Sequence, residues 1–202
     1  MTFPAIRQVE AYWDGLRRGR AVPLRSEIDP RGIESALEYA FVLERIAPGL
    51  ARFRLAGMHL VDVMGMEVRG MPITSFVVPE DRNALSEALE GLFQKPETLE
   101  LKLSAETGFG KPKLDAGLLL LPLKSDLGDI SRALGCLVSK GAIGRAPRRF
   151  KLLECRHSQI EQCKPQITER SPVAGFAEPA EPFSSARRPH KPPKLRLVKS
   201  DD

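Results

Sequence analysis

Apolar residues recur at helical spacing near the start of the chain. Ile6, Val9, Trp13 and Leu16 fall on one face, with Arg7, Glu10, Arg17 and Arg18 elsewhere on the wheel, which predicts an amphipathic helix ending near Gly19. Ile28-Asp29-Pro30 predicts a second helix, because Asp29 can accept a hydrogen bond as N-cap, Pro30 suits the first helical position and Ile28 can staple to Ile33. Capping alone accounts for the Asp29 carboxylate. Phe41 to Arg45 and Ala51 to Leu55 are short β-type runs around Pro48-Gly49, a turn dipeptide, and read as a hairpin. In the second strand, period-two alternation points Phe53 and Leu55 one way and Arg52 and Arg54 the other.

Between Gly57 and Pro79, glycines punctuate short helical pieces carrying Leu60, Val61, Met64, Ile73 and Phe76. Pro79-Glu80-Asp81 then opens a longer helix with Leu85, Ala88, Leu89 and Leu92 on one face. Three strands follow: Leu99, Leu101 and Leu103 alternate with polar residues, Leu114 to Leu123 is a mostly apolar run, and Leu134, Cys136 and Val138 alternate again. Pro147 is expected to begin a last helix with Phe150, Leu153 and Ile160. Strand runs flanking a helical block predict an α+β fold, a five-stranded antiparallel sheet with helices packed over one face. The inner face of that sheet is expected to present Phe53, Leu55, Leu101, Leu103, Leu118, Leu120, Leu134, Cys136 and Val138 toward Leu60, Met64, Phe76, Leu85 and Leu89. These residues line a small apolar ligand pocket or form a filled core.

The text changes at Lys164. Seven of the 17 prolines lie in the stretch from there to the end, among Ser, Ala and Glu that offer little to bury, so 164–202 is expected to be a disordered, Pro-rich tail. Its end, Arg187 to Lys199, holds six basic residues and no acid. The expected organisation is thus an N-terminal helical segment 1–38, a sheet domain 39–145, a C-terminal helix 146–163 and the tail.

Composition narrows the class. A chain of 202 residues with 42% hydrophobic and 28% charged residues has the material for a core, and its mean hydropathy of −0.22 fits a protein that lives in water. No run of 18 apolar residues is present and the N-terminus lacks a leader pattern, so no membrane span is expected. Three cysteines without a CxxC pair suit a reducing compartment, and a cytoplasmic location is expected. The net charge of +5 neither demands nor excludes nucleic acid.

The order of elements, two strands, a helical connector, a long helix and three antiparallel strands, resembles the PAS sensory fold. Arg54-Leu55-Ala56-Gly57 leading into Met64-Gly65-Met66-Glu67-Val68-Arg69-Gly70 is similar to the PAS segment in which a glycine ends the second strand and a Gly-x-Glu-x-x-Gly phrase closes the short helices. Trp13-Asp14-Gly15-Leu16-Arg17, the stretch Pro23 to Pro30, Leu121-Pro122-Leu123 and Arg132-Ala133-Leu134-Gly135 resemble a family of small, stand-alone PAS-domain proteins common in alphaproteobacteria. The likeness covers roughly residues 6 to 150. It implies a PAS-like sheet domain and a sensory or protein-interaction role, and in PAS proteins N-terminal helices commonly pack across a dimer. Ile6, Val9, Trp13 and Leu16 are accordingly the expected homodimer surface, with folding back onto the chain's own sheet as the alternative.

Several chemistries lose their residues. A flavin photosensor of this fold needs a cysteine in an Asn-Cys-Arg-Phe phrase, which is missing, and a haem sensor needs a histidine on the long helix, where 79–95 has none. His59 in the connector reads as a polar or capping group. Gly65 to Gly70 has P-loop spacing, but Met71-Pro72 stands where Lys and Ser or Thr are required. Cys155, His157 and Cys163 offer three soft ligands where a structural zinc wants four, so no metal is expected. No triad phrase is present and no cofactor is predicted. The expectation is a non-enzymatic PAS regulatory or adaptor protein acting on itself and on an unidentified regulatory protein, with small-ligand sensing as a second capacity. The alternative is a nonspecific nucleic-acid or anionic-surface binder acting through the basic tail, which carries no interleaved aromatics for base stacking.

Overall fold

The structure, a computed structural model, describes residues 3–95 and 97–160; the predicted tail over 164–202 and Cys163 lie outside the described residues. The N-terminal helix α1 spans Pro4–Arg17. A 3-10 helix, Pro30–Tyr39, follows with the predicted cap: the Asp29 carboxylate accepts from the Arg31 backbone N–H at 3.0 Å. Tyr12 ties the two together, its hydroxyl donating to the Asp29 carbonyl and accepting from the Asp29 N–H.

The predicted hairpin is present as β1 (Ala40–Ala47) and β2 (Leu50–Ala56). Helix α2 (Met58–Met64) ends at Gly65, whose φ of +71° is open to glycine at little cost and whose missing Cβ leaves room for Ala146. Two 3-10 turns, Ile73–Phe76 and Pro79–Asp81, lead into α3 (Arg82–Gln94). Strands β3 (Glu97–Ala105), β4 (Asp115–Lys124) and β5 (Ile130–Lys140) complete the expected set. Among the described residues no helix is long and apolar enough to cross a membrane.

Two expectations are corrected. The stretch predicted as a helix over 146–163 is instead a sixth strand, β6 (Phe150–Gln159), paired antiparallel to β3, so the sheet has six strands in the order β2-β1-β5-β4-β3-β6. Long-range bonds override the helical spacing of Phe150, Leu153 and Ile160. Val78 N–H donates to the Phe150 carbonyl and Leu152 N–H to the Asp81 carboxylate, sewing β6 to the end of the connector. Just before the strand, fully buried Arg148 donates to the backbone carbonyls of Ile143, Glu106 and Pro112, and fixes the approach of the chain.

The second correction concerns the layers, because both faces of the sheet are covered. The connector and α3 pack on the inner face, around Phe53, Leu60, Leu85, Leu101 and Leu118. On the outer face α1 and the 30–39 helix enclose a second core of Ile6, Val9, Trp13, Ile33, Val42, Leu119, Leu121 and Leu134. A glycine makes the close approach of α1 feasible: a Cβ at Gly117 would lie 2.7 Å from the Phe3 ring and 3.0 Å from Ile6. Trp13 is 2% exposed and its indole N–H donates to the Pro122 carbonyl at 2.9 Å.

Trp13→Ala should therefore cost about 3–5 kcal/mol, the usual range for removing a buried tryptophan. Urea unfolding followed by far-UV circular dichroism checks it, and an unchanged midpoint would show that α1 does not hold the outer face.

Candidate functional site

The inner face gathers most of the residues expected to line a pocket. Phe53, Leu60, Met64, Phe76, Leu85, Leu89, Leu101, Leu103, Leu118 and Leu120 are all buried in one cluster. Phe53 sits between the rings of Phe41 and Phe76, with centroids 5.2 and 5.1 Å away, and the space left among these side chains is about 10 Å³. That is room for about one water-sized sphere, against roughly 300–1,000 Å³ for ligand pockets in general. The inner face is a filled core.

Three of the expected pocket residues, and Val138 with them, lie elsewhere. Leu134, Cys136 and Val138 face the opposite way, into the outer core under α1. Both faces of β5 are covered, so its alternation carries no sign of which set points inward. Burial there pushes the Cys136 thiol up to about 12. Leu55 is turned out by a bulge in β2: Val42 pairs with Leu55 and Leu43 with Phe53, leaving Arg54 as the extra residue and reversing the face after it. Leu55 is 48% exposed. For the expected dimer stripe the structure shows the fold-back alternative: Ile6, Val9 and Trp13 are buried against the chain's own sheet, with Leu16 half-buried beside them.

The outward turn of Leu55 creates a groove that the sequence reading missed. Cover by α1 and the 30–39 helix stops short of the outer side of β2. There Ile28, Ile33, Leu37, Val42, Leu55 and Leu134, with Arg25 and Arg69, line an open apolar groove of about 280 Å³. It runs into a shallower depression of about 440 Å³ that shares Arg25, Val42 and Leu55 and adds Ser26, Arg54, Asp126 and Arg132. Of the lining residues, Leu37 is 45% and Leu55 48% exposed, so the groove's apolar surface is open to solvent.

Charge at this end is unbalanced. Glu44, on the outer side of β1, is met by three guanidinium groups: Arg52 at 2.9 Å, Arg54 at 2.5 Å, and Arg132. Burial alone would push the Glu44 carboxyl up, but the hydrogen bonds from Arg132, Arg54 and Arg52 outweigh it and bring the group down to about 2. Against Arg25, Arg52, Arg54, Arg69 and Arg132 stand Glu44, Asp126 and, near Arg132, Asp129, so positive charge remains in excess beside the groove. A second depression of about 430 Å³, beside α1 and the outer side of β3 and β4, has Arg7, Lys102 and Lys113 balanced by Glu10, Glu100 and Asp115. It has no comparable excess of one sign.

The remaining candidates are placed as follows. His59 on α2 has its Nε2 3.0 Å from the Ser139 hydroxyl oxygen and its ring edge-on to Tyr39. Cys155 and His157 lie on the same side of β6, with Sγ 3.5 Å from Nε2. Among the described residues no group of three or more His, Cys, Asp or Glu side chains could hold a metal ion.

A family model described as a PAS domain matches residues 1–138, from α1 to near the end of β5, and stops before β6. No curated protein matches the chain.

Because the folded-state pKa of Glu44 lies below its ordinary value of 4.5, its contribution is fully present above that value. It should fade as the pH falls from 4.5 toward 2. Glu44→Gln should lose on the order of 1–2 kcal/mol at neutral pH, after discounting for the solvent that reaches the arginines, and should flatten the pH dependence in that window. Thermal melts of both forms across the acid range check this, and parallel curves would contradict it.

Proposed function

The chain belongs to the PAS-domain family, whose role is sensory or regulatory signalling, and from that premise we propose that it is an adaptor that acts through the arginine-bordered groove on the outer side of its sheet. One observation carries the reading. The interior, where a small ligand would sit, keeps only about 10 Å³, whereas the outer groove offers an open apolar space of about 280 Å³ beside an excess of arginines over carboxylates.

The chemistry of the groove specifies a partner. Exposed Leu37 and Leu55, with Ile28 and Val42 in the same groove, supply apolar contact area, and a contiguous patch of this kind marks an interaction surface more often than a lone exposed leucine does. Arg25, Arg54 and Arg69 add charge and planar donors that favour carboxylates. The fitting occupant is a protein segment carrying apolar side chains flanked by Asp or Glu. Its association should be fast at low salt and should weaken as salt is added, since exposed charges a Debye length apart are screened.

A photo-crosslinking amino acid placed at position 55 of the full chain in its own host tests this, with position 109, an exposed residue outside the groove and its depression, as control. The proposal expects a discrete adduct from position 55 that is absent from position 109 and lost when Arg25→Glu and Arg54→Glu are combined. The same adducts from both positions, or an adduct indifferent to the charge reversal, would overturn it. An adduct between two copies of the chain would replace the acidic partner with self-association.

A further inference from the structure

At the far edge of the sheet, three side chains that the sequence scatters stand in one line. β6 carries Cys155 and His157 two residues apart, so as a strand it places both on one side, over Leu101 and Leu99 of β3. His157 Nδ1 lies 3.0 Å from the Glu97 carboxylate, and its Nε2 lies 3.5 Å from Cys155 Sγ. Helix α3 brings Gly91 beside the ring, where a Cβ would lie 3.5 Å from it, and adds no charge. Glu97 and Arg148 are the two buried charged residues among those described. Arg148 is tied to the carbonyl of Ile143 and to those of Glu106 and Pro112 in the β3–β4 connection, and Glu97 has His157 as its hydrogen-bond partner.

The arrangement sets the tautomer. A carboxylate only accepts, so Nδ1 must donate to Glu97, and in the neutral ring Nε2 is then the bare nitrogen facing the thiol. Each ring nitrogen has its own neighbour and the imidazole stands between sulfur and carboxylate, so the three groups do not converge on one ion. The geometry is that of a thiol, a base and the group that orients the base. Partial burial pushes the Cys155 thiol above its ordinary value, so at rest it keeps its proton and needs a base at the moment of attack. The thiol is exposed on the strand at the sheet's edge, with no further strand beyond it among the described residues.

We propose that Cys155 is a modifiable thiol: His157, held by Glu97, takes its proton, and the sulfur exchanges with a low-molecular-weight disulfide to leave a mixed disulfide on the β6 edge. In the step a bond forms between Sγ and one sulfur of the incoming disulfide, and the bond between the two sulfurs of that reagent breaks. Cys155 is oxidised, the departing half is reduced to a thiolate, and the proton held on Nε2 passes to it. A reducing thiol reverses the reaction by the same route. The site lies at the β6 edge and the groove at the β2 end, so the two readings stand or fall separately.

An aromatic disulfide reagent added to the reduced full-length protein is the probe, with the adduct located by tryptic mapping; Arg156 separates the Cys155 peptide from that of Cys163. At neutral pH the rate at Cys155 should exceed that of the same thiol in the urea-unfolded protein, where no base is held beside it. His157→Gln should slow it by about tenfold or more, and Glu97→Gln by less, with melting temperatures recorded for both. An unchanged rate in a folded His157→Gln protein, or a folded wild-type rate no faster than the unfolded one, would overturn the proposal. The comparison with the unfolded chain decides the matter even where a variant does not fold.

Discussion

Strand β4 has apolar side chains on both faces, and the rest of the molecule follows from covering them. Leu118 and Leu120 point to the connector and α3, while Leu119, Leu121 and Leu123 point the other way, and all five are buried. An antiparallel sheet can leave one face to water only if that face is polar. Here it cannot, and α1 is the cover. Ile6, Val9 and Trp13 supply the apolar stripe, the Trp13 bond to Pro122 fixes its height along the strand, and Gly117 lets Phe3 and Ile6 come close. A stripe that looks fit to join two copies is used within one.

The cover is shorter than the sheet, and this gives the molecule its distinct ends. Over β4, β5 and most of β1 the outer face is closed. Toward β2 it is open, where Leu55 and Leu37 stand beside a carboxylate held by three arginines. Toward β3 and β6 the outer side chains are paired across the strands instead, Lys102 with Glu154 and Arg156 with Glu100, and need no cover. With the inner core packed to the volume of about one water, the open end is where the proposed recognition lies.

The elements up to Lys140 were legible because each has a local cause: Asp29 before Pro30 caps a helix, Pro48-Gly49 turns a hairpin, and Leu99, Leu101 and Leu103 alternate. What was not legible has non-local causes. Nothing near Leu55 announces a bulge, since Arg54 becomes the extra residue only through its pairing with β1. Leu134 and Cys136 were expected inside because period-two alternation cannot tell two covered faces apart. Phe150, Leu153 and Ile160 fit helical spacing, and only the bonds to Val78, Asp81 and β3 make that stretch a strand. The candidate groove was invisible for the same reasons, being assembled from the 30–39 helix, β1, β2 and β5 by a change of face. Glu97 was missed because its significance depends on β6 lying next to β3.

The account turns on a filled interior in a family whose domain folds around one. Native mass spectrometry of protein purified from its own host, beside a denatured sample, tests that directly. The account predicts the mass of the polypeptide alone, with anything bound at the outer groove shed under mild activation while the chain stays folded. A stoichiometric small molecule held until the chain unfolds would contradict it and place recognition inside the core.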